Sequence, residues 1–357
     1  MTVPPPLVVR FGAFGDMVLL TVLLQHLHAR FGKRVDVVSS GPWTKPLLEG
    51  QGSVGRIFLI RSRRTPYWLS THQKQLVAWL RARGPGPVWF CDMGPGKSLL
   101  ARAGIPDHDI CDSRAFPWQP GESFADRYIR LGNQTPAGFE GRVPPPIAAT
   151  ARAARIELTA EARADAEEWL ARRGLSARQF LVVHPGSRHV ARRWLRSRAG
   201  ASKYWPEERW GKVVRALRDL RPGHAILLSG TPAEYRLNAD IMACAGVPDV
   251  YNAADDLPIR ILLPLLERAD SMISVDTGPA HAAAALGCPT VSLFGTANAE
   301  LFRPGGATTP AIALTGTFDG RQNILGITSE AVIAAWQDLV RTPDTLRVHS
   351  VKSVTCD

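Results

Sequence analysis

The sequence predicts an α/β protein with two doubly wound domains that follow one another along the chain. A length of 357 residues exceeds what a single hydrophobic core usually supports and indicates about two domains. Short runs rich in Val, Leu and Ile alternate with longer helical segments, as in βαβ units with a parallel sheet. Hydrophobic residues make up 45% of the chain and charged residues 21%, which excludes a largely disordered protein.

The first half of the chain carries apolar runs separated by helical segments. We predict strands at 7–11, 35–38, 56–60 and 88–92, and helices at 17–30 and 73–83. Between 134 and 154 the chain becomes rich in proline and glycine, which is typical of a linker. The first domain is therefore predicted to span residues 1–155.

The same alternation returns in the second half, where Thr159 is the predicted N-cap of the first helix. The pattern predicts strands at 180–184, 225–229, 271–275 and 290–294, and helices at 160–173, 210–220, 234–245, 259–269, 280–286 and 329–340. We predict a second domain at 156–330, followed by a helix and tail at 331–357. Because doubly wound sheets bind ligands beyond the carboxyl ends of their strands, the functional residues are expected in those loops.

Composition restricts the compartment and the partners. Five widely spaced cysteines without a CxxC pair argue against a disulfide framework and a structural zinc site. Residues 1–10 lack the pattern of a signal peptide, and the longest uncharged stretch, 277–299, holds three glycines and two prolines. We therefore expect a soluble cytoplasmic protein. The net charge of +11 favours a phosphate-bearing substrate, an anionic membrane face or nucleic acid, although excess arginine that only maintains solubility fits equally well.

The most informative motif is Asp276-Thr277-Gly278-Pro279, which joins a predicted strand to a helix. Free backbone N–H groups and the positive end of the helix dipole make such a junction a phosphate site. Gly278 permits a close approach to the backbone, and Thr277 adds a hydroxyl donor. An ordinary capped turn without a ligand fits the same residues. His281, one turn further, is expected to hydrogen-bond Asp276 or a neighbouring loop and not a metal.

A similar junction follows the first strand. Gly12 and Gly15 allow a sharp bend and leave Asp16 in the first turn of the next helix, where a carboxylate is stabilised and can accept a proton. Aspartate is common at this position as a cap, so a purely structural role is the competing interpretation.

Cationic and small polar residues follow the first strand of the second domain. Lys203 precedes a Trp-Pro turn and could neutralise a phosphate, and Ser187 ends a His-Pro-Gly-Ser loop that could contact one. The intervening arginine-rich stretch, with Arg188, Arg192 and Arg193, suggests a basic loop over a phosphorylated substrate. It lacks the aromatic platform or helix-turn-helix of a nucleic-acid-binding protein, so no nucleic-acid partner is expected.

Two acidic segments complete the set of candidates. Glu234 follows a predicted strand and could accept hydrogen bonds from a ribose diol, or could simply stabilise a helix N-terminus. Residues 107–109 read Asp-His-Asp in a polar turn without a second ligand cluster, so we assign no metal site.

Together these segments resemble the ADP-heptose:lipopolysaccharide heptosyltransferases, glycosyltransferase family 9. The matching stretches are 9–19, 184–187, 203–206, 228–230 with Glu234, 274–281 and 286–295. They occur in the family's order over most of the chain. The resemblance implies a GT-B architecture, in which two Rossmann-like domains face a cleft and the C-terminal helix crosses back to the first domain.

The resemblance also implies a reaction and roles for its residues. It implies inverting, metal-independent transfer without a cofactor, from a nucleotide sugar that is expected to be ADP-heptose, to an anionic glycolipid acceptor at the inner face of the inner membrane. On the family's pattern, Asp16 matches the general base and Lys203 the lysine at the donor phosphates. Asp276, Thr277 and Gly278 match the phosphate loop, and Glu234 matches the ribose ligand. Leu257 falls where the family contacts the adenine, and Ser187 falls in the loop near the phosphate or sugar.

Other functions remain open at this stage. The same fold could use another nucleotide sugar or a capsule, protein or small-molecule acceptor. A non-catalytic nucleotide-binding module is a further alternative, and the presence of both Asp16 and Lys203 argues against it. The basic stretch between Ser187 and Lys203 is longer than the family's pattern, which suggests a different acceptor or a lid that closes on the donor.

Overall fold

The computed structural model describes residues 3–62, 65–94, 96–149, 152–187, 202–305, 309–341 and 350–355. The chain divides into two compact units, Met1–Glu157 and Leu158–Asp357. Each unit contains a largely parallel β-sheet with helices in its connections. The predicted α/β class is thus confirmed.

The first unit has a five-stranded sheet in the order β3-β2-β1-β4-β5, and its neighbouring strands pair in parallel. Its strands are β1 Leu7–Val9, β2 Val35–Ser39, β3 Val54–Leu59, β4 Val88–Phe90 and β5 Ile110–Asp112. Its helices are α1 Phe14–Phe31, α2 Thr44–Leu48, α3 Thr71–Arg83, α4 Lys97–Arg102 and α5 Phe124–Gly132. Short 3-10 turns occur at Tyr67–Leu69, Asp107–Asp109, Ser113–Ala115 and Ala137–Phe139.

The order of strands in the first unit fixes where a ligand could bind. The chain runs from β1 outward to β2 and β3 on one side, then returns to β4 and β5 on the other. Neighbouring loops after β1 and β4 therefore turn to opposite sides and leave a crevice at the carboxyl edge. Central strands β1 and β4 are fully buried, as their uninterrupted apolar sequences require.

A single arginine ties the end of α1 to the loop after α5. The Arg30 side chain is buried and donates hydrogen bonds to the carbonyl oxygens of Gly132 at 2.9 Å, Gln134 at 2.8 Å and Pro144 at 2.8 Å. Its guanidinium also donates to Thr135 Oγ1 at 2.6 Å. This proline-rich stretch has no regular ladder, so the five N–H donors of arginine satisfy carbonyl groups that a strand or helix would otherwise pair.

The second unit has a sheet in the order β12-β11-β10-β9-β6-β7-β8, and β13 pairs with β11. Its strands are β6 Phe180–His184, β7 Ala225–Leu228, β8 Val250–Asn252, β9 Met272–Val275, β10 Thr290–Phe294, β11 Ala311–Phe318, β12 Arg321–Gln322 and β13 Ser350–Thr355. Its helices are α6 Ala160–Ala171, α7 Glu207–Leu220, α8 Tyr235–Ala245, α9 Ile259–Arg268, α10 Gly278–Ala285, α11 Ala299–Phe302 and α12 Ser329–Arg341. Short 3-10 turns occur at Pro232–Glu234 and Ile324–Gly326.

The second sheet repeats the arrangement of the first. Its first strand, β6, pairs with β7 on one side and with β9 on the other, both in parallel. The connections after β6 and β9 therefore leave the sheet at a second crevice of the same kind. A buried core lies beneath, in which the rings of Trp205 and Trp210 make an edge-to-face contact with centroids 4.8 Å apart.

The C-terminal residues belong to the second unit. Helix α12 lies against α7, β10 and β11, and its Trp336 indole donates a hydrogen bond to Ser271 Oγ at 2.8 Å. Strand β13 runs parallel to β11 from Ser350 to Thr355. The return of the C-terminal segment to the first unit stays a prediction.

Several elements differ from the sequence prediction. Helix α1 begins at Phe14, three residues earlier than predicted, because the Asp16 carboxylate accepts the Ala13 N–H and extends the first turn. Helices α7 and α10 also begin earlier, directly after their capping residues. Strands β5, β8, β11, β12 and β13 were not predicted. Strand β11 contains Gly316, and a glycine weakens the sequence signal of a strand. The glycine is needed there because a Cβ at position 316 would lie 2.5 Å from the backbone of Gly326.

We predict that Arg30→Met lowers the free energy of unfolding by roughly 2–4 kcal/mol, because several buried carbonyl groups lose a charged donor at once. Urea denaturation followed by circular dichroism measures this change. Arg34→Met, at an exposed arginine just beyond the same helix, is the matched control. Equal unfolding midpoints for the two variants would show that Arg30 does not hold the loop.

Candidate functional site

In the first unit, Asp16 lies at the crevice formed by β1 and β4. It is the third residue of α1, and its Oδ2 accepts the Ala13 N–H at 2.9 Å. Its Oδ1 lies 3.2 Å from Nη2 of Arg10. About a third of the side chain, 36%, remains exposed. The carboxylate is therefore fixed in direction by two contacts and is still open to a substrate hydroxyl.

Gly12 leaves the room in which Asp16 sits. A Cβ atom at Gly12 would lie 2.6 Å from Cβ of Asp16 and 3.0 Å from Nε of Arg10. Because Cβ of Asp16 is fixed by the helix backbone, a side chain at position 12 would displace the carboxylate. Gly15, the other glycine of the predicted motif, is the second residue of α1. Gly12, Gly15 and Asp16 thus lie together where β1 leads into α1.

Arg10 is a site residue that the sequence reasoning did not single out. Its side chain is 15% exposed and bridges the two central strands, with one Nη donating to the Cys91 carbonyl after β4 and the other contacting Asp16. Burial alone would lower the pKa of Arg10, but the acidic groups around it, Asp16 among them, together outweigh burial, and the pKa is raised. The sequence signal that could have identified Arg10 is its position, because it is a basic residue at the end of an apolar strand and just before a glycine-containing loop.

In the second unit, Lys203 and Asp276 form an ion pair at the crevice between β6 and β9. Nζ of Lys203 lies 2.7 Å from Oδ2 of Asp276 and also donates to the Asp276 carbonyl oxygen. The side chains are 27% and 10% exposed. Two residues 73 positions apart in sequence are thereby joined at the point where the strand order reverses.

The N-terminus of α10 opens at the same point. Thr277 is its N-cap residue, and Gly278 and Pro279 form the first turn. The Thr277 hydroxyl donates to the Val275 carbonyl at 3.1 Å and shares a hydrogen bond with Ser274 Oγ. The threonine side chain caps no N–H group of the helix. The first N–H groups of a helix lack intrahelical partners and are suited to bind an anion.

Glu234 lies after β7 and is buried. Its Oε2 accepts hydrogen bonds from the Thr231 N–H at 2.7 Å and hydroxyl at 2.8 Å. The capping contact that we considered as the competing interpretation is therefore present. The carboxylate also packs against two glycines, since a Cβ at Gly186 would lie 2.6 Å from Cδ of Glu234 and one at Gly230 would lie 3.2 Å from its Cβ.

His184, at the end of β6, contacts Ser229 at the end of β7. Its Nδ1 lies 3.0 Å from Ser229 Oγ, and the ring is buried. Burial lowers the pKa of His184, and the negative charge of Glu234 opposes this only in part. The ring is therefore neutral near pH 7 and supports the loops as a hydrogen-bonding group.

The remaining predicted residues occupy different positions. Ser187 and His281 are buried, at the end of the β6 loop and in α10 respectively. Leu257 is half-buried in the loop between β8 and α9. Arg188, Arg192 and Arg193 lie outside the described residues.

The β10 loop is a further neighbour of Lys203 that the sequence reasoning did not assign. A Cβ at Gly295 would collide with the carbonyl oxygen of Ser202, so glycine is needed where this loop passes. Gln322 holds the same loop, because its side-chain amide donates to the Gly295 carbonyl at 2.6 Å and to the Ala297 carbonyl at 2.9 Å. The position of Lys203 thus depends on β10 as well as β9.

The fold and these two crevices define an α/β protein with two Rossmann-like domains. A family model for glycosyltransferase family 9 (heptosyltransferase) matches residues 110–317, more than half of the chain. The chain belongs to this family, as the motifs predicted.

Solved structures have the same fold. A glycosyltransferase family 9 protein from Veillonella parvula DSM 2008 superposes with a TM-score of 0.73 at 19% identity, over 95% of this chain and 98% of its own. The E. coli heptosyltransferase WaaC with ADP gives a TM-score of 0.66 at 19% identity, over 94% of this chain and 99% of its own. At these identities the likeness concerns the fold alone, and it confirms the predicted GT-B class with two Rossmann-like domains.

Curated relatives match a shorter region. Lipopolysaccharide heptosyltransferase 1 of Pseudomonas aeruginosa PAO1 is 34% identical over 127 residues, which is 35% of this chain and 34% of that protein. Lipopolysaccharide heptosyltransferase 3 of E. coli K12 is 28% identical over 134 residues, 35% of this chain and 33% of that protein. The matches thus span about a third of each relative.

Metal binding and membrane insertion can be assessed for the part of the chain that the structure describes. Within it, no group of three or more His, Cys, Asp or Glu side chains is arranged to hold a metal ion. Among the same residues, no helix is long and apolar enough to cross a membrane.

We predict that His184 makes stability fall as the pH drops below its ordinary value of 6.5. The unfolded chain then binds a proton that the folded chain excludes, so the free energy of unfolding decreases by at most ~1.4 kcal/mol per pH unit until the lowered pKa is reached. His184→Asn removes this contribution and keeps a polar partner for Ser229. Urea denaturation of both proteins from neutral pH to about pH 5 measures the difference in slope; parallel slopes would contradict it.

Proposed function

We propose that this chain is an inverting glycosyltransferase that moves a heptose from ADP-heptose to a hydroxyl of a lipopolysaccharide-core-type acceptor. The observation that carries the proposal is the Lys203–Asp276 pair beside the N-terminus of α10, at the reversal point of the second sheet. Membership of glycosyltransferase family 9 and the lipopolysaccharide heptosyltransferases among the relatives support the same reaction class. We place the reaction in the cytoplasm, at the inner face of the inner membrane.

The second unit supplies the donor site in this proposal. Backbone N–H groups at Thr277 and Gly278 and the positive end of the helix dipole receive the pyrophosphate. An ammonium has three N–H donors, and within the described residues two of those on Lys203 contact Asp276. The third can meet a phosphate oxygen, so Asp276 acts by orienting the lysine.

The nucleoside part of the donor extends toward β7 and β8. Glu234 has one oxygen bound to Thr231, and its carboxylate can accept a hydrogen bond from the ribose diol. Leu257, in the loop after β8, offers an apolar contact for the adenine. Ser187 and His281 border the phosphate and sugar from the β6 loop and α10.

The first unit supplies the base. Asp16 accepts the proton of the acceptor hydroxyl while that oxygen attacks the anomeric carbon from the face opposite the pyrophosphate. The bond from the anomeric carbon to the phosphate oxygen breaks, and ADP departs with the electron pair. Lys203 and the helix dipole stabilise the charge that develops on the leaving group, which is how transfer proceeds without a metal.

The acceptor side depends on the loop after β1 and on basic residues. Gly12 and Gly15 keep the approach to Asp16 open. Arg188, Arg192 and Arg193 carry positive charge in a stretch that follows the β6 loop in sequence, and an anionic glycolipid is the acceptor that this charge fits.

Measurements of donor affinity distinguish ADP-heptose from other nucleotide-sugar donors. Isothermal titration with ADP-, GDP- and UDP-linked sugars compares the nucleotides, and we expect measurable affinity for the ADP-sugar alone. Preference for GDP or UDP would retain the fold and the base but replace the donor. If the donor binds but no acceptor yields product, the chain would instead be a non-catalytic nucleotide-binding module.

We predict that Asp16→Asn lowers kcat by about 10²–10⁴ because the acceptor proton loses its base, while donor affinity is retained. Transfer is followed by ADP release, and donor affinity by calorimetry. Asp126→Asn is the control, since Asp126 is also the third residue of a helix in the first unit and lies 3.6 Å from an arginine. Full activity of Asp16→Asn would remove Asp16 from the reaction.

We predict that Lys203→Met weakens donor binding and lowers kcat by roughly 10²–10³, as the loss of a charge stabiliser of the leaving group does. The same kinetic and calorimetric measurements apply. Lys352→Met is the control, because Lys352 forms an ion pair of equal length, 2.7 Å, with Asp338 in the same unit. Unchanged kinetics with unchanged affinity would contradict the assignment.

A further inference from the structure

The charge of the first unit is concentrated in one stretch of sequence. Residues 50–91 contain seven Lys or Arg and no Asp or Glu, so they carry seven of the chain's net eleven positive charges. Two of the seven, Arg56 and Arg83, pair with Asp36 at 3.3 and 3.2 Å. Of the remaining five, Arg61, Lys74 and Arg81 lie among the described residues, and their side chains are exposed.

The same stretch exposes a large apolar pair. In the 3-10 turn Tyr67–Leu69, the side chains of Trp68 and Leu69 are 71% and 58% exposed. An exposed tryptophan beside an exposed leucine is an unfavourable surface in water and marks a contact with another apolar phase or partner.

This turn is held firmly against the body of the unit. Tyr67 packs on the hydrophobic core, and the Arg102 guanidinium lies 4.5 Å from its ring centroid. The Gln73 amide donates to the carbonyls of Ser62 at 3.0 Å and Thr65 at 2.9 Å, which ties these two residues to the start of α3. Trp68 and Leu69 are thus displayed by an ordered support.

Exposed basic residues flank the apolar pair in sequence or lie on a segment that contacts its turn. Arg102 contacts the turn directly, and Arg81 donates to the Arg102 carbonyl at 2.8 Å. Lys74 lies in the first turn of α3, which follows the 3-10 turn, and Arg61 precedes it. All four are exposed.

We propose that the first unit docks on an anionic lipid bilayer through this surface, which consists of Trp68 and Leu69 with Arg61, Lys74, Arg81 and Arg102. Tryptophan and leucine enter the interface between headgroups and acyl chains, and the four cations meet the lipid phosphates. Single-sign charge over so long a stretch matches the uniformly negative face of a bilayer. The inference extends the proposed function, because a lipid-linked acceptor would be presented at such a face, but its test requires neither donor nor acceptor.

Vesicle flotation of the full chain tests the proposal. Vesicles of phosphatidylglycerol and phosphatidylethanolamine in equal parts should bind the protein, and phosphatidylcholine vesicles should not. Trp68→Ser with Leu69→Ser should reduce binding at least ~10-fold through loss of the inserted apolar area. Arg61→Gln with Lys74→Gln should reduce both the binding and its dependence on salt.

Matched controls separate docking from folding and from soluble phosphate. Leu220→Ser with Phe318→Ser removes another exposed leucine and aromatic, 43% and 45% exposed in the second unit, and should leave binding unchanged. Thermal unfolding should coincide for all variants because the altered side chains are exposed. Binding that survives the Trp68 and Leu69 changes would overturn the proposal. So would binding to the vesicles that glycerol phosphate abolishes at constant ionic strength, since that result assigns the surface to a soluble phosphate compound.

Discussion

The constraint on which both crevices depend is the close approach of a carboxylate to a glycine at the end of the first strand of each unit. Gly12 after β1 leaves room for Asp16, and Gly186 after β6 leaves room for Glu234. In both cases a Cβ atom would lie 2.6 Å from an atom of the acidic side chain, a distance that side chains do not tolerate. The glycines therefore serve the positions of particular acidic groups as well as the bending of the backbone.

Each crevice also pairs one carboxylate with one cation, but with opposite exposure. Asp16 keeps 36% of its side chain exposed beside the more buried Arg10, whereas Asp276 is 10% exposed beside the more exposed Lys203. The group open to solvent is thus the acid in the first unit and the cation in the second. That difference agrees with the roles that we propose, a base for an incoming hydroxyl in the first unit and a cation for a departing phosphate in the second. The buried partner orients the exposed one in each pair, which fits catalytic preorganisation.

Buried apolar runs made much of the fold predictable, and contacts between distant residues explain what was missed. The strands Phe180–His184 and Thr290–Phe294 have the predicted bounds, since each is buried along its whole length. Strand β13 is mostly polar, with only two valines among its six residues, and gives no such signal. Asp16 and Lys203 were recognised from motifs, but Arg10 and Gly295 matter through neighbours more than 80 residues away in sequence. Local patterns contain no information on such contacts.

The distribution of charge decides between the two interpretations of the basic composition. Residues 50–91 contribute seven net positive charges and residues 188–198 contribute five, so the other parts of the chain together have a net charge of −1. An excess of arginine that only maintained solubility would be spread over the surface, because any exposed position serves that purpose. Two separate basic stretches in an otherwise balanced chain instead indicate two anionic contacts. One stretch adjoins the apolar pair Trp68 and Leu69, and the other follows the loop that contains Ser187 in sequence, so these neighbours agree with the bilayer and the phosphorylated substrate that we propose.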